Sequence, residues 1–210
     1  MIKFVYLNKE VLVMSARLEV ITGPMFSGKS ATLIQLLENA TYARKQILVI
    51  KPALDKRSVE TEITTRKIIR GRSTVINKFP ANNVNTLREF RKALKERYFH
   101  VLGIEEAQFL GPWIITAVKE LLSERAHDDL RIIVAGLDMT ANMEPFGSMP
   151  QLLAMADEVI KLHAVCFKCG KDARYTQKLG GTSDRIQVGD LGLYEARCRQ
   201  CHTPNVASSS

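Results

Sequence analysis

Short apolar runs recur along this chain and alternate with stretches of helical spacing. The runs are Leu18-Glu19-Val20-Ile21, Gln46 to Lys51, Val101-Leu102-Gly103-Ile104, Leu130 to Ala135 and Val159-Ile160-Lys161-Leu162. Each is short, bounded by turn residues and rich in β-branched side chains, which predicts buried strands. Between them, Leu33, Leu36 and Leu37 predict a helix reaching roughly Arg44. Thr86-Leu87-Arg88-Glu89 fits a capping box, after which Leu87, Phe90, Leu94 and Tyr98 share one helical face. Gly111-Pro112 restarts a helix that runs to about Glu124, with Pro112 suited to the first turn. Pro150 to Met155 is a further short helix. Strands alternating with helices predict an α/β fold, a parallel sheet with helices on both faces. Residues 56–78 are basic, β-branched and Thr-rich, and predict a mobile loop or an edge hairpin around Arg70-Gly71.

The alternation stops near His163. From there to Pro204 the chain shortens into cysteine pairs and Gly180-Gly181. The expected organisation is an extension over 1–16, an α/β nucleotide-binding domain over 17–163, a metal-anchored subdomain over 164–205 and a tail over 206–210. Met14 is a candidate alternative start, because the first core strand begins near Arg17.

Gly23-Pro24-Met25-Phe26-Ser27-Gly28-Lys29-Ser30 reads G-x-x-x-x-G-K-S, with a strand before it and a helix after it. Gly23 and Gly28 let the backbone turn so that successive N–H groups face phosphate oxygens, and the helix N-terminus adds partial positive charge. Lys29 is expected at the terminal phosphates and Ser30 on Mg²⁺. The fold class is therefore P-loop NTPase-like. The motif alone implies a nucleoside triphosphate and leaves its use open.

Cys166, Cys169, Cys198 and Cys201 form two C-x-x-C pairs, which suit a tetrahedral structural Zn²⁺. A formal charge of +8 fits polyanion binding, but the basic residues form no single stripe. No apolar run is long enough to span a membrane, and residues 1–13 lack a signal-peptide pattern, so a cytoplasmic location is expected. Glu105-Glu106 ends an apolar strand, where a carboxylate can stand beside the metal held by Ser30. Glu105 could face the metal and Glu106 the nucleophile. Asp55 and Arg57 follow the second strand, at the edge where ligands gather in open α/β sheets.

GPMFSGKS, KPALDKR, GIEEAQF, GLDMTANMEPFG and the two CxxC pairs together resemble the type II thymidine kinases, the cellular and bacterial family, over about Leu18 to Cys201. The resemblance implies a P-loop α/β core, a zinc-held lasso that closes over the base, and phosphorylation of the thymidine 5′-hydroxyl by ATP-Mg²⁺. It implies ATP phosphates on Gly23 to Ser30, Asp55 and Arg57 near the phosphates, Glu106 as catalytic base and Glu105 as the metal-side carboxylate. Gln108 and Phe109 complete that motif, with Gln108 on the ATP-Mg²⁺ side and Phe109 on the substrate side. Met25, Leu137 and Thr176 match positions around the thymine methyl, and Phe146 matches a ring lining the base pocket. Arg185, Ile186, Gln187, Val188 and Gly189 match the lasso segment that grips the base edge, with the aromatic Tyr194 nearby. A homotetramer and feedback by dTTP are also implied.

Three positions depart from the family pattern. Glu105 stands where Asp is usual. Ala141, in the base pocket, stands where an aromatic is frequent. The loop from Arg57 to Asn77 lacks a His-Asp pair. These bear on substrate breadth and loop conformation, not on reaction class. A zinc-ribbon, nucleic-acid-binding P-loop ATPase is the rival reading. The charge and the cysteine pairs favour it, whereas the chain length and the lack of an aromatic stacking strip oppose it.

Overall fold

A computed structural model describes residues 15–53, 61–69, 72–179 and 193–204. In chain order the elements are β1 (Arg17–Thr22), α1 (Lys29–Tyr42), β2 (Ile47–Lys51), β3 (Glu62–Ile69), β4 (Arg72–Pro80), β5 (Asn82–Asn83), α2 (Leu87–Glu96) and β6 (Val101–Ile104). They continue with α3 (Trp113–Glu124), β7 (Arg131–Gly136), α4 (Met149–Met155), β8 (Glu158–Lys161), β9 (Ala164–Val165), β10 (Asp172–Ala173), β11 (Tyr175–Lys178) and β12 (Tyr194–Arg197). A single 3₁₀ turn, Ala107–Phe109, follows β6.

Six strands form one sheet in the order β5-β2-β6-β7-β1-β8, and every pairing is parallel. Successive side chains in a strand face opposite sides, and here both sides are apolar. Leu18, Val20, Leu48, Ile50, Leu102, Ile104, Ile132 and Val134 pack under α2, α3 and α4. Ile21, Val49, Val101, Ile133 and Ala135 pack under Leu33, Ile34, Leu37 and Ala40 of α1. That is why the strand runs read as continuous apolar blocks rather than alternating ones. Parallel strands also put every strand's carboxyl end at one edge, so the phosphate loop, Glu105-Glu106 and the 137–147 loop all leave the sheet there.

The capping box at Thr86 forms, with the Thr86 side chain accepting from the Glu89 N–H and the Glu89 carboxylate accepting from the Thr86 N–H. Its helix is shorter than the apolar spacing suggests. α2 ends at Glu96, Arg97 is extended, and Tyr98 is exposed outside the helix. There its ring meets the Arg125 guanidinium. Pro112 is the cap of α3 rather than a residue of its first turn. The 56–78 segment yields a hairpin, β3–β4, that forms its own two-stranded sheet rather than an edge of the main one. It lies against α1, with Ile63 buried in that helix's core cluster and Asn77 donating to Glu38 at 2.9 Å. The turn at Arg70-Gly71, the extension before residue 15 with Met14, Gly180-Gly181 and the tail from residue 205 lie outside the described residues.

One charged group interrupts the apolar start of the sheet. Glu19 on β1 is 2% exposed and accepts a two-pronged bond from Arg131 on β7 and another from Arg17 at 2.9 Å. Burial alone would raise its pKa, but the hydrogen bonds and charges of Arg131 and Arg17 outweigh it and hold the carboxyl below the usual range. Removing one partner of such a pair strands the other, at about 3–5 kcal/mol. Arg131→Met is therefore expected to lower unfolding free energy by about that amount in urea titrations. Because the folded pKa is depressed, the pair's contribution is complete above the unfolded value of about 4.3 and is lost as pH falls through the folded value. Glu19→Gln should flatten the acid decline of the urea midpoint in that window.

Candidate active site

The phosphate loop runs from the end of β1 into α1. Gly23 has φ +144, and a Cβ there would lie 2.5 Å from the Leu162 carbonyl oxygen, so only glycine allows this approach to the chain leaving β8. Lys29 is buried, and its Nζ donates to the Pro24 carbonyl at 2.8 Å. Burial pushes its pKa down, against the opposing pull of Glu106, Glu105 and Asp138.

The two carboxylates after β6 separate in environment. Glu105 is buried, and one of its oxygens accepts from the Ser30 hydroxyl. Its other oxygen, Oε2, is buried with no hydrogen-bond partner among the described residues. Burial first, and then the neighbouring Glu106 charge, push the Glu105 carboxyl up to about 8, although Ser30, Lys29 and Lys51 pull the other way. An orphaned carboxylate oxygen beside a serine hydroxyl is a donor set that fits a divalent cation, whose charge would remove the conflict.

Glu106 is half-buried and turned differently. Its backbone is left-handed, φ 51 and ψ 42, a sparsely populated conformation for a non-glycine residue. The Gln108 amide donates to its carboxylate, while the Gln108 Oε1 accepts from the Leu137 N–H at 3.0 Å. Gln108 thus bridges the ends of β6 and β7. Gly147, φ +54, leaves room for this turn, since a Cβ there would lie 2.3 Å from the Gln108 carbonyl oxygen.

Several of the expected pocket residues meet. Phe109 and Phe146 pack edge to face, with ring centres 5.4 Å apart. The Met25 N–H donates to the Thr176 hydroxyl at 3.0 Å, which ties the phosphate loop to the cysteine-rich subdomain. Tyr194 is buried at the start of β12, opposite Lys178. Leu137 and Ala141 are half-buried in the loop after β7. Asp55, Arg57 and the segment Arg185 to Gly189 lie outside the described residues.

Cys166, Cys169, Cys198 and Cys201 converge, their sulfur atoms all within 4.8 Å of one another and those of Cys169 and Cys198 at 3.6 Å. Zn–S bonds of about 2.3 Å at tetrahedral angles put sulfurs about 3.8 Å apart, so the set fits zinc. Without a cation the thiols conflict. Cys166 is held down to about 6, its burial offset by N–H groups of Cys198, Lys168 and Cys169. Cys201 is pushed up to about 12, foremost by its bond to Cys198. The knuckle Cys166–Gly170 is closed by Gly170 N–H to Cys166 O at 2.9 Å, and β9–β10 and β11–β12 flank it.

Two residues at this site carried no signal of their own in the sequence. His202 follows the last cysteine. Its Nε2 lies 2.9 Å from the Ala141 carbonyl oxygen and 3.3 Å from that of Thr176. Facing two acceptors, Nε2 carries the proton, and the ring fastens the 137–147 loop to the subdomain. Phe167, inside the first CxxC, lays its ring against Phe26 of the phosphate loop at 5.5 Å.

Comparison with known proteins follows this layout. A family model described as thymidine kinase matches residues 16–202. A thymidine kinase of Coprothermobacter proteolyticus is 40% identical over 199 residues, covering 92% of this chain and 93% of the relative. Thymidine kinases of Mycoplasma mobile and Bacteroides thetaiotaomicron are 39% and 37% identical, covering 88% and 89% of this chain and 86% of each relative.

The thiol geometry generates one prediction. Metal analysis should find one zinc per chain, and Cys198→Ser should lose it. Hydrogen exchange should then rise first in 164–178 and 194–202, while β1, β6 and β7 stay protected.

Proposed function

The chain belongs to the thymidine kinase family, and from that premise we propose how its site carries out the transfer. The protein is an ATP-dependent kinase that phosphorylates thymidine. The rival nucleic-acid ATPase is not favoured, because the family match spans both the phosphate loop and the cysteine pairs.

The observation that carries the proposal is the division of labour at Glu105-Glu106. One carboxylate is buried against Ser30 and the other is half-buried and oriented by Gln108. Ser30 and Glu105 would hold Mg²⁺, which, when bound, neutralises charge on the β- and γ-phosphates. The loop N–H groups and Lys29 bind the triphosphate, with Lys29 exchanging the Pro24 carbonyl for phosphate oxygens. Asp55 and Arg57 are assigned to the same phosphates. Glu106 accepts the proton of the thymidine 5′-hydroxyl as that oxygen attacks the γ-phosphate, giving dTMP and ADP. Gln108 is assigned to positioning Glu106 rather than to ATP.

Met25, Phe109, Leu137, Ala141, Phe146, Thr176 and Tyr194 are assigned to the base, with Arg185 to Gly189 closing over it. Cys166, Cys169, Cys198 and Cys201 would hold a structural Zn²⁺ that anchors the chain on either side of that segment. Family membership also supports a homotetramer, feedback by dTTP and a cytoplasmic location. No helix among the described residues is long and apolar enough to cross a membrane.

Incubating the protein with ATP-Mg²⁺ and a panel of nucleosides, with products resolved by mass, tests the reading. Phosphorylated thymidine is the expected product, and thymidine left unphosphorylated refutes it. Glu106→Gln should lower kcat by about 10²–10⁴-fold, the usual scale for a general base, with thymidine binding retained in calorimetry. Near-normal turnover would shift the role to Glu105.

A further inference from the structure

Phe26 is an unusual residue to find in its conformation. Its φ is +64, the left-handed region that bulky side chains avoid, and the residue is 39% exposed. Such a backbone persists only where its surroundings hold it. On one side, Gly23 lies against the Leu162 carbonyl with no room for a side chain. The Met25 N–H is held by the Thr176 hydroxyl at 3.0 Å. The Phe26 ring itself meets Phe167, ring centres 5.5 Å apart and tilted by 52°.

Phe167 is in turn well placed to act as a fixed wall. It sits one residue after Cys166, inside the knuckle, and its N–H donates to the Ala196 carbonyl on β12 at 3.0 Å. The residue is 49% exposed and takes no part in the subdomain's core, which is built from Ala164, Cys166, Ala173, Ala196 and Cys198. The ring thus lies outside the subdomain's core and against Phe26 of the phosphate loop.

We propose that Phe167 is a positioning residue for the phosphate donor: the zinc knuckle braces the phosphate loop through the Phe26–Phe167 ring contact and so sets triphosphate affinity. The claim rests on the kinase reading of the same loop. The left-handed turn at Phe26 sets the path of the loop into Gly28 and Lys29 at the N-terminus of α1, where phosphate oxygens bind. Without the brace the loop spends part of its time in other conformations. Apparent affinity then falls in proportion to the competent fraction. The cysteine subdomain, assigned above to closing over the nucleoside, thereby also acts on the other substrate.

The test compares wild type and Phe167→Ala by calorimetry with Mg-ATP, with inorganic tripolyphosphate and with thymidine, alongside zinc analysis. A ring contact of this kind corresponds to about a three- to tenfold change in affinity. Phe167→Ala should weaken ATP and tripolyphosphate by that factor, change thymidine affinity distinctly less and keep one zinc. Phe167→Tyr should restore binding. In a double-mutant cycle, Phe167→Ala should cost little once Phe26→Ala is present. If zinc is lost from Phe167→Ala, Phe167→Leu, which keeps the bulk, takes its place in the comparison.

Unchanged tripolyphosphate affinity in a zinc-loaded variant overturns the proposal. Weakened ATP with unchanged tripolyphosphate also overturns it, since the rings would then touch the nucleobase rather than shape the loop. Failure of the wild type itself to bind ATP would count against the kinase reading, a result distinct from either.

Discussion

Three charged groups share one nearly dry corner at the carboxyl edge of the sheet, and the surrounding architecture has to reconcile them. Lys29 and Glu105 are both buried, and Glu106 stands next to Glu105. Burial pushes Lys29 down and Glu105 up, and Glu106 pushes Glu105 further. Within the protein the conflict is only partly relieved, by the Ser30 hydroxyl on one Glu105 oxygen and by Lys29 itself. The Oε2 of Glu105 has no partner among the described residues. A site in this condition is completed by its ligands: a polyphosphate for the lysine and loop N–H groups, a divalent cation for the orphaned oxygen.

The cysteine subdomain solves a related problem by the same means. Four thiols packed within bonding range of one ion cannot all ionise without it, and their values are driven apart in its absence. A closed four-sulfur site leaves no position for chemistry. Its influence on the reaction is therefore mechanical. Thr176 and Phe167 reach the phosphate loop, and His202 reaches the Ala141 carbonyl in the loop that carries Phe146. One small cysteine-rich unit thus touches both the phosphate loop and the loop that carries Phe146.

Much of this was legible in the sequence, for physical reasons that can be named. Strands buried on both faces need continuous apolar runs, so β1, β2, β6 and β7 announced themselves to within a residue or two, and the mostly exposed edge strand β8 did so through its own short apolar run. The phosphate loop and the cysteine pairs are fixed by backbone geometry and metal coordination over a few residues, and such constraints are local. The capping box at Thr86 is local as well. Periodicity misled at Tyr98, because a fourth apolar residue at helical spacing cannot show that the chain has already turned extended and that the ring is held by Arg125 instead.

What only the tertiary structure decided are the contacts between segments distant in the chain. The Gln108 amide joins Glu106 to the Leu137 N–H, a bond that exists only because β6 and β7 are neighbours in the sheet. The β3–β4 hairpin was foreseeable from its composition, but its seat on α1 rather than on the sheet edge depends on Ile63 finding that helix's core. Phe167 and His202 carry no motif of their own, since one ring beside a cysteine is unremarkable until the fold brings Phe26 or Ala141 against it. The sequence by itself determined the sheet strands, the phosphate loop and the four-cysteine cluster, because each follows from short-range periodicity, turn geometry or ligand spacing. Strand order and contact between distant segments determined which side chains meet Glu106 and the phosphate loop, because those interactions span from about thirty to a hundred and fifty residues of chain and have no local signature.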